Sequence, residues 1–431
     1  FLNSPAAQQR LNKPFNLPAP VGGLNAISSI MAMPPRDCVV LENWIPFPDK
    51  LQTREGCANH VTGFANPVKR LWTYASPTGA ESLWATTDAG VYNATAAGAV
   101  GAAAVALTNG ATVGIVFSTG ANNYLFLANG TDTIKQYDGA SWTSIATFGA
   151  TATSTYSSLE VYRQRIFLIQ RNSLILEYLA ANSIAGATTT YNLGSIFRRG
   201  GQLTALATWT LDGGNGPDDL LAIATSMGEV AVFSGSDPAT WSLKGVFYIG
   251  RPLGPLCFFK YGGDLLFLCE AGLFPLSKAI LSASIDRTNS ITSKIRPIFN
   301  EAAAAYFSNT GWQVIAQPDI PLLVVNIPGT SQKYQYCMHA ETGSWTIFSG
   351  WEANCFARMG NALYFGTSSV VAKVGGSSDF GANITATMFA AYSQMGYPRN
   401  KLIKEIEKMS SSIDTNAKIS LEQWKKDRKS V

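Results

Sequence analysis

Charge is scarce in this sequence. Only 14% of its 431 residues are Asp, Glu, Lys or Arg, against about 25% in an average soluble domain. Disorder needs low hydrophobicity and high net charge, so a 46% hydrophobic content excludes it. Histidine is scarcer still, with only His60 and His339. A Ser-His-Asp triad would have to use one of them, and no G-x-S-x-G elbow accompanies either. Catalytic zinc needs three protein ligands, which two isolated imidazoles without H-E-x-x-H do not supply. Both histidines read as ordinary surface or turn residues. The six cysteines (Cys38, Cys57, Cys257, Cys269, Cys337, Cys355) lie far apart with no C-x-x-C pair. That spacing excludes a disulfide framework and a zinc ribbon, and points to buried free thiols in a chain that folds in reducing cytoplasm.

Long apolar runs are missing too. The most apolar stretch, Ala99 to Phe117, is interrupted by Thr108, Asn109 and Thr112, so no membrane span is expected. No cationic start followed by an apolar segment opens the sequence, so no signal peptide is expected. There is no G-x-x-x-x-G-K-[ST] phosphate loop, and Gly213-Gly214-Asn215-Gly216 lacks the strand-to-helix setting such a loop requires. Amphipathic helices of ten or more residues are not apparent before residue 400.

What charge there is sits unevenly. From Arg399 to Val431 there are nine basic and five acidic residues, which accounts for the whole formal +4; the first 398 residues hold 23 of each sign. A neutral body is not built to hold a polyanion by bulk charge.

Residues 1–35 are rich in Pro, Asn and Ala and read as an extended arm. Regular structure begins at Cys38-Val39-Val40-Leu41. From there, short runs of Val, Ile, Leu, Phe and Tyr alternate with Gly, Asn, Asp and Ser, the pattern of hairpins. Seven are distinct, with second strands closing at Tyr92, Tyr137, Tyr178, Phe233, Leu276, Met338 and Val374. An internal repeat marks how they end. Asp138-Gly139-Ala140-Ser141-Trp142, Asp237-Pro238-Ala239-Thr240-Trp241 and Glu341-Thr342-Gly343-Ser344-Trp345 share an acid, a turn, a hydroxyl residue and a Trp. Weaker junctions fall near Thr95, Tyr191 and Asn289. A spacing of about fifty residues with four short strands per unit is that of β-propeller blades. The fold expected is therefore an all-β propeller of six or seven blades over residues 36–397, with the N-terminal arm before it and a basic segment, 398–431, after it. A last blade is expected to be completed by N-terminal strands around Cys38–Leu41 and Leu51–Arg54. In the final segment Leu402, Ile403, Ile406 and Met409 fit a helix face while Ile419 and Leu421 alternate as a strand would, and the pattern does not choose between them. A pair of β-sandwiches is the competing architecture.

Few motifs carry chemistry. The loop Asp212–Asp219 contains three carboxylates suited to Ca²⁺, yet a Gly-rich hairpin tip explains it without metal. The acid-to-Trp turns are partial Asp boxes, which hold a turn rather than catalyse, and no pair of acids stands out for glycoside hydrolysis. Lys69-Arg70 before Trp72 and Arg198-Arg199 after Phe197 are two-residue runs, too short to make a nucleic-acid patch. In the C-terminal segment Lys401, Lys404, Lys408, Lys425 and Lys426 are candidate phosphate or partner contacts, although acids interleave with them. No catalytic, cofactor-binding or metal-ligating residues are nominated, and an enzyme is not expected.

The sharpest signal is a set of blocks. Pro18-Ala-Pro-Val-Gly-Gly-Leu-Asn25 is followed by Ala32-Met-Pro-Pro-Arg-Asp37, Leu41-Glu-Asn-Trp-Ile-Pro46 and Arg54-Glu-Gly56. Towards the other end come Gly343-Ser-Trp345, Phe348-Ser-Gly-Trp351 and Leu363-Tyr-Phe-Gly366. Together they resemble the tail structural proteins of short-tailed, podovirus-like bacteriophages, the family of the tail hub or nozzle. The resemblance runs from about Pro18 to about Tyr397 and gives out from Lys401 onward.

That resemblance implies a propeller-like body in a ring, typically of six copies, below the head-to-tail adaptor and portal. The ring encloses the channel through which DNA leaves, with fibres, spikes or a plug around it and only transient, non-specific contact with the DNA. It places the protein in the virion tail. Pro18, Pro20, Asn43 and Trp44 become candidate assembly contacts. A neutral wall suits a conduit, because dense Lys/Arg contacts would hold DNA through counterion release. The competing readings are a receptor- or glycan-binding propeller and, further off, a propeller glycoside hydrolase. If the arm serves only assembly, removing residues 1–30 is expected to abolish tail attachment and leave the melting temperature of the body unchanged.

Overall fold

Short strands joined by turns can bury both faces only by stacking sheet on sheet. In the computed structural model, which describes residues 18–212, 217–281 and 289–391, they do so radially. Five blades are meanders of consecutive antiparallel strands. The first is Arg70–Ala75, Glu81–Thr87, Gly90–Asn93 and Val105–Ala106, and the second Val113–Ser118, Asn123–Ala128, Ile134–Tyr137 and Trp142–Ile145. The third is Tyr156–Tyr162, Arg165–Gln170, Ile175–Tyr178 and Thr189–Asn192, and the fourth Leu203–Asp212, Pro217–Thr225, Glu229–Ser234 and Ser242–Tyr248. The fifth has three strands, Phe258–Tyr261, Asp264–Cys269 and Gly272–Pro275. The chain is thus an all-β propeller.

Two larger sheets mix strands from both ends of the chain. Gln313–Ala316, Leu322–Ile327, Tyr334–His339 and Trp345–Ser349 form a meander that Asp37–Glu42 joins in parallel through Glu42 and Ile347. Asp37–Glu42 itself carries Gly23–Leu24 in parallel and Thr387–Ala390 antiparallel. In the second sheet, Cys355–Met359, Ala362–Gly366 and Val370–Val374 take Cys57–Thr62 as their outer strand.

The hairpins read from the sequence are all present as middle-strand pairs. The repeat has a physical basis. Trp142, Trp241 and Trp345 stand where the third strand of a sheet turns into its fourth, and each reaches back to what precedes it. Trp142 lies 5.1 Å from Trp84 of the first blade, and Trp241 lies 5.3 Å from both Phe167 and Tyr191 of the third. Trp345 Nε1 donates to the Ile291 carbonyl at 3.3 Å. The acids fix the turn geometry: Asp138 Oδ1 accepts from the amides of Ala140 and Ser141 at 2.8 and 2.7 Å, and Asp237 Oδ1 accepts from Ala239 at 3.0 Å. Such aromatic wedges contribute roughly 0.5–1.5 kcal/mol each beyond area burial. Thr95 falls at the same connection in the first blade, Tyr191 lies within the fourth strand of the third, and Asn289 follows the three-stranded fifth blade.

Four expectations need correction. The strand that completes the last sheet is Cys57–Thr62, not Leu51–Arg54; Leu51–Thr53 pairs only with its neighbour Trp44–Pro46. Both segments are short and β-rich, and only pairing across about 310 residues separates them. A helix of 11 residues, Arg296–Tyr306, follows the fifth blade, with Pro297 in its first turn. It was invisible because the face it buries is Phe299, Ala302 and Ala303, where small side chains mute the periodicity. His339 is no surface residue but is 1% exposed at the end of its strand. The arm, finally, packs on its own body over residues 18–35. Val21, Leu24 and Asn25 are buried, Ser344 Oγ donates to the Val21 carbonyl at 2.8 Å, and Lys294 Nζ donates to the Gly22 carbonyl at 2.6 Å. Gly23 has φ 78°, and a Cβ there would meet the Trp345 carbonyl oxygen at 2.6 Å, so only glycine lets the arm approach so closely. Residues 1–17 and 398–431 lie outside the described residues, as do the alternatives for Leu402–Leu421.

Compared with a chain lacking residues 1–17, one lacking 1–30 loses Val21 and Leu24 from the core and should melt lower, by roughly 2–4 kcal/mol of stability from lost burial. Equal melting of the two truncations, read by differential scanning fluorimetry, would show that the docked segment contributes nothing to the body.

Candidate functional site

The residues nominated for assembly lie at the seam where the ends of the chain meet, and most face inward. Arg54 is 2% exposed. Its five N–H groups all have acceptors. Nη1 and Nη2 grip Asp379 Oδ1 and Oδ2 at 2.9 and 2.6 Å, Nε donates to Asn43 Oδ1 at 2.8 Å, Nη1 also reaches the Glu55 carbonyl at 2.8 Å, and Nη2 the Ser349 carbonyl. The guanidinium stacks 5.2 Å from the Trp351 ring. Asn43, held at φ 59° and 3% exposed, uses both ends of its amide here: Nδ2 donates to the Thr385 carbonyl at 2.8 Å and Oδ1 accepts from the Ser349 amide at 2.9 Å. Asn43 is therefore a closure residue and has no free group for a neighbour. Trp44 is half-buried against the main core and Pro20 is buried, while Pro18 is exposed. The polar neighbourhood continues through Asp37, which pairs with Lys294 at 2.8 Å and accepts from Asn25 Nδ2 at 2.8 Å.

The remaining candidates disperse. Arg70 is buried, with burial pushing its pKa down, and Lys69 pairs with Asp88 at 2.7 Å. Arg198 and Arg199 are exposed, but their amides bond Glu229 and Arg199 lies 3.7 Å from the Tyr248 ring. His60 stands within the closing strand, where Nε2–H donates to the carbonyls of Ala94 and Thr95 at 3.1 and 3.2 Å. The ring of His339 meets Phe47 at 5.3 Å, and burial lowers its pKa. The six cysteines are buried and unpaired; burial raises Cys38, Cys57, Cys269 and Cys355 to about 12, so none is a reactive thiolate at neutral pH. The tip of the Asp212–Asp219 loop lies outside the described residues, as do Lys401, Lys404, Lys408, Lys425 and Lys426. Among the described residues, no group of three His, Cys, Asp or Glu converges to hold a metal ion.

A different place has the makings of a site. The first strands of the third, fourth and fifth blades stand side by side around the propeller axis. They carry Glu160, Thr208 and Lys260 in line: Lys260 Nζ donates to Thr208 Oγ1 at 3.0 Å, and Thr208 approaches Glu160 Oε1 at 3.5 Å. Beside this line opens a cavity of about 390 Å³. Tyr261 stands half-exposed at its wall, and the buried rings of Tyr162 and Trp209 back it. Two turns frame its mouth. Gly262 and Gly263 both take positive φ between Tyr261 and Asp264, and a Cβ on either would meet nothing within 4 Å, so this side is open. The opposite turn puts Arg163 and Gln164 in the same left-handed region, at φ 47° and 58°. A side chain there costs about 1–2 kcal/mol that glycine would not. Arg163 uses its position to reach Asp219 at 3.1 Å across the cavity rim. Backbone strain that places a particular side chain at a recess marks a functional candidate.

Burial pushes the Glu160 carboxyl from 4.5 up to about 7, against the lowering effects of Lys260 and the Thr208 hydroxyl. None of these residues was nominated from the sequence. The available signal was a charged residue in an otherwise apolar first strand, as at Glu160 in Tyr156–Tyr162 and Lys260 in Phe258–Tyr261, but its meaning depends on knowing which strands line the axis.

Because Glu160 takes up its proton more readily folded than unfolded, its contribution weakens stability as pH rises from about 4.5 to about 7. The substitution Glu160→Gln should therefore raise the thermal midpoint at pH 8, by about 1–3 kcal/mol of stability, and leave it unchanged near pH 4. A pH-independent difference between the two proteins, from melting curves across that range, would remove the assignment.

No protein-family model matches the sequence, and no curated protein matches it. Solved structures are similar in outline. BBS1N, crystallised in complex with ARL6DN, shares 10% identity over 75% of this chain and 97% of that one, with a TM-score of 0.46. U3-55K shares 12% over 73% and 96%, with a TM-score of 0.42. Chaetomium thermophilum Raptor shares 10% over 74% of this chain and 29% of that one, with a TM-score of 0.46.

Proposed function

We propose that this chain is a structural component of a short phage tail, a nozzle or hub subunit that forms a ring on the head-to-tail adaptor below the portal and lines part of the DNA ejection channel. The observation that carries the reading is the convergence of the sequence blocks. Pro18–Asn25, Leu41–Pro46, Arg54–Gly56, Gly343–Trp345 and Phe348–Trp351 are scattered over more than 330 residues, yet they meet at one seam. This supports treating them as one structural signature rather than separate coincidences. Next to the seam the docked arm exposes Ile27, Ile30 and Met31 at 51, 41 and 66%, an apolar strip of the kind that marks a contact with another protein. The arm's role in this reading is to present that strip.

The blade number belongs to the same proposal. First strands of the five meander blades and of the two composite sheets touch in cyclic order, from Arg70–Ala75 round to Cys355–Met359 and back. This favours seven blades, the last closed by Cys57–Thr62. A second reading, a glycan-binding propeller, is favoured by the cavity beside Lys260 and Tyr261 and is developed below.

Mixing the purified protein with portal and adaptor proteins and imaging by electron microscopy tests the tail reading. Six copies should close into a ring at the lower end of the connector, and I27D/M31D should prevent ring closure while leaving the monomer folded. A protein that stays monomeric with both partners present would count against it.

A further inference from the structure

We infer that the cavity between the third, fourth and fifth blades binds a neutral carbohydrate of mono- or disaccharide size. The inference does not depend on the tail reading. A volume of about 390 Å³ lies at the small end of the ~300–1,000 Å³ range of small-molecule sites. Its chemistry is two-faced. Half-exposed Tyr261 offers flat apolar surface, which suits the C–H face of a pyranose ring, above the buried rings of Tyr162 and Trp209. Around them stand donors and acceptors of both kinds: the Lys260 ammonium, the Thr208 hydroxyl, the Arg163 guanidinium and the Asp219 carboxylate. Hydroxyls that both donate and accept are what such an edge complements.

Charge balance argues against an anion. The Arg163 cation is met by Asp219 at 3.1 Å, and the Lys260 ammonium donates to the Thr208 hydroxyl at 3.0 Å. The remaining carboxylate at the mouth, Asp264, accepts from the amides of Leu265 and Ser277 at 2.7 and 3.1 Å and from the Ser277 hydroxyl. It is held in place rather than offered to a cation. A phosphate or uronate drawn to Arg163 would have to displace Asp219, whereas a neutral polyol can bridge both signs. The turn at Arg163 and Gln164 adds an independent reason. Glycines at these positions would close the same hairpin without left-handed strain, as they do at Gly262 and Gly263, so the arginine is there for its side chain.

The full-length protein can be titrated with glucose, galactose, mannose, N-acetylglucosamine, lactose and cellobiose, followed by saturation-transfer-difference NMR and calorimetry, with inorganic phosphate and glucuronate as anionic probes. At least one neutral sugar should bind saturably. R163G relieves the turn and should melt no lower than the parent, yet bind at least tenfold more weakly, and K260A and Y261A should weaken binding similarly. Absence of saturable binding by every neutral sugar would overturn the inference, as would preferential binding of phosphate or glucuronate. So would affinity unchanged in R163G and K260A, which would put the sugar elsewhere.

Discussion

A propeller has no stable intermediate between open and closed, because an unclosed ring leaves the flanks of its first and last sheets in water. In this chain the closure rests on one guanidinium. Arg54 joins the segment after the N-terminal arm to Ser349 in one composite sheet and to Asp379 beyond the other. Taking an arginine out of water is costly, and a buried pair is stabilising only when its geometry is good and every other donor is used. Both conditions hold: the contact with Asp379 is two-pronged, and Asn43, Glu55 and Ser349 take the other donors. The fork also fixes register, since lysine could not span the three chain segments.

This constraint orders the rest of the seam. Asn43 must adopt a left-handed backbone to aim its amide at both Thr385 and Ser349, an arrangement asparagine tolerates better than other side chains do. Gly23 must be glycine because the docked arm passes against the backbone of Trp345. Asp37 binds Asn25 and Lys294 together, tying the arm to the segment after the fifth blade. Residues far apart in sequence are thus required to be particular types for one reason, the joining of the two ends of the chain.

What could be read from the sequence follows from range of interaction. The hairpins, the turn-capping acids and the wedging tryptophans are local, and Trp142 and Trp241 need only the preceding blade to make sense. Their spacing therefore carried the propeller. The closing strand was misplaced because Leu51–Thr53 and Cys57–Thr62 look alike until their partners are known, and the partner of the second is Val370–Val374. The helix Arg296–Tyr306 hid behind alanines. The cavity was least legible, since Glu160, Thr208 and Lys260 come from three blades and nothing in their own neighbourhoods says they share an axis.

The same distinction bears on what the phage-like blocks mean. Asn43, Arg54, Ser349 and Trp351 look inward, so the pattern they form describes how the ring closes, not what it touches. A signature of closure can accompany more than one function on the same fold. The tail proposal therefore needs, beside that convergence, surface that closure does not use. Ile27, Ile30 and Met31 are such surface: the arm is already anchored by Val21, Leu24 and Asn25, and beside those anchors three large apolar side chains stand exposed among the described residues. The cavity is likewise separate from the hydrogen bonds of the seam, since Arg163, Thr208, Asp219 and Lys260 take no part in them. Function in this molecule is best sought at those two places, one apolar and outward, the other mixed and recessed.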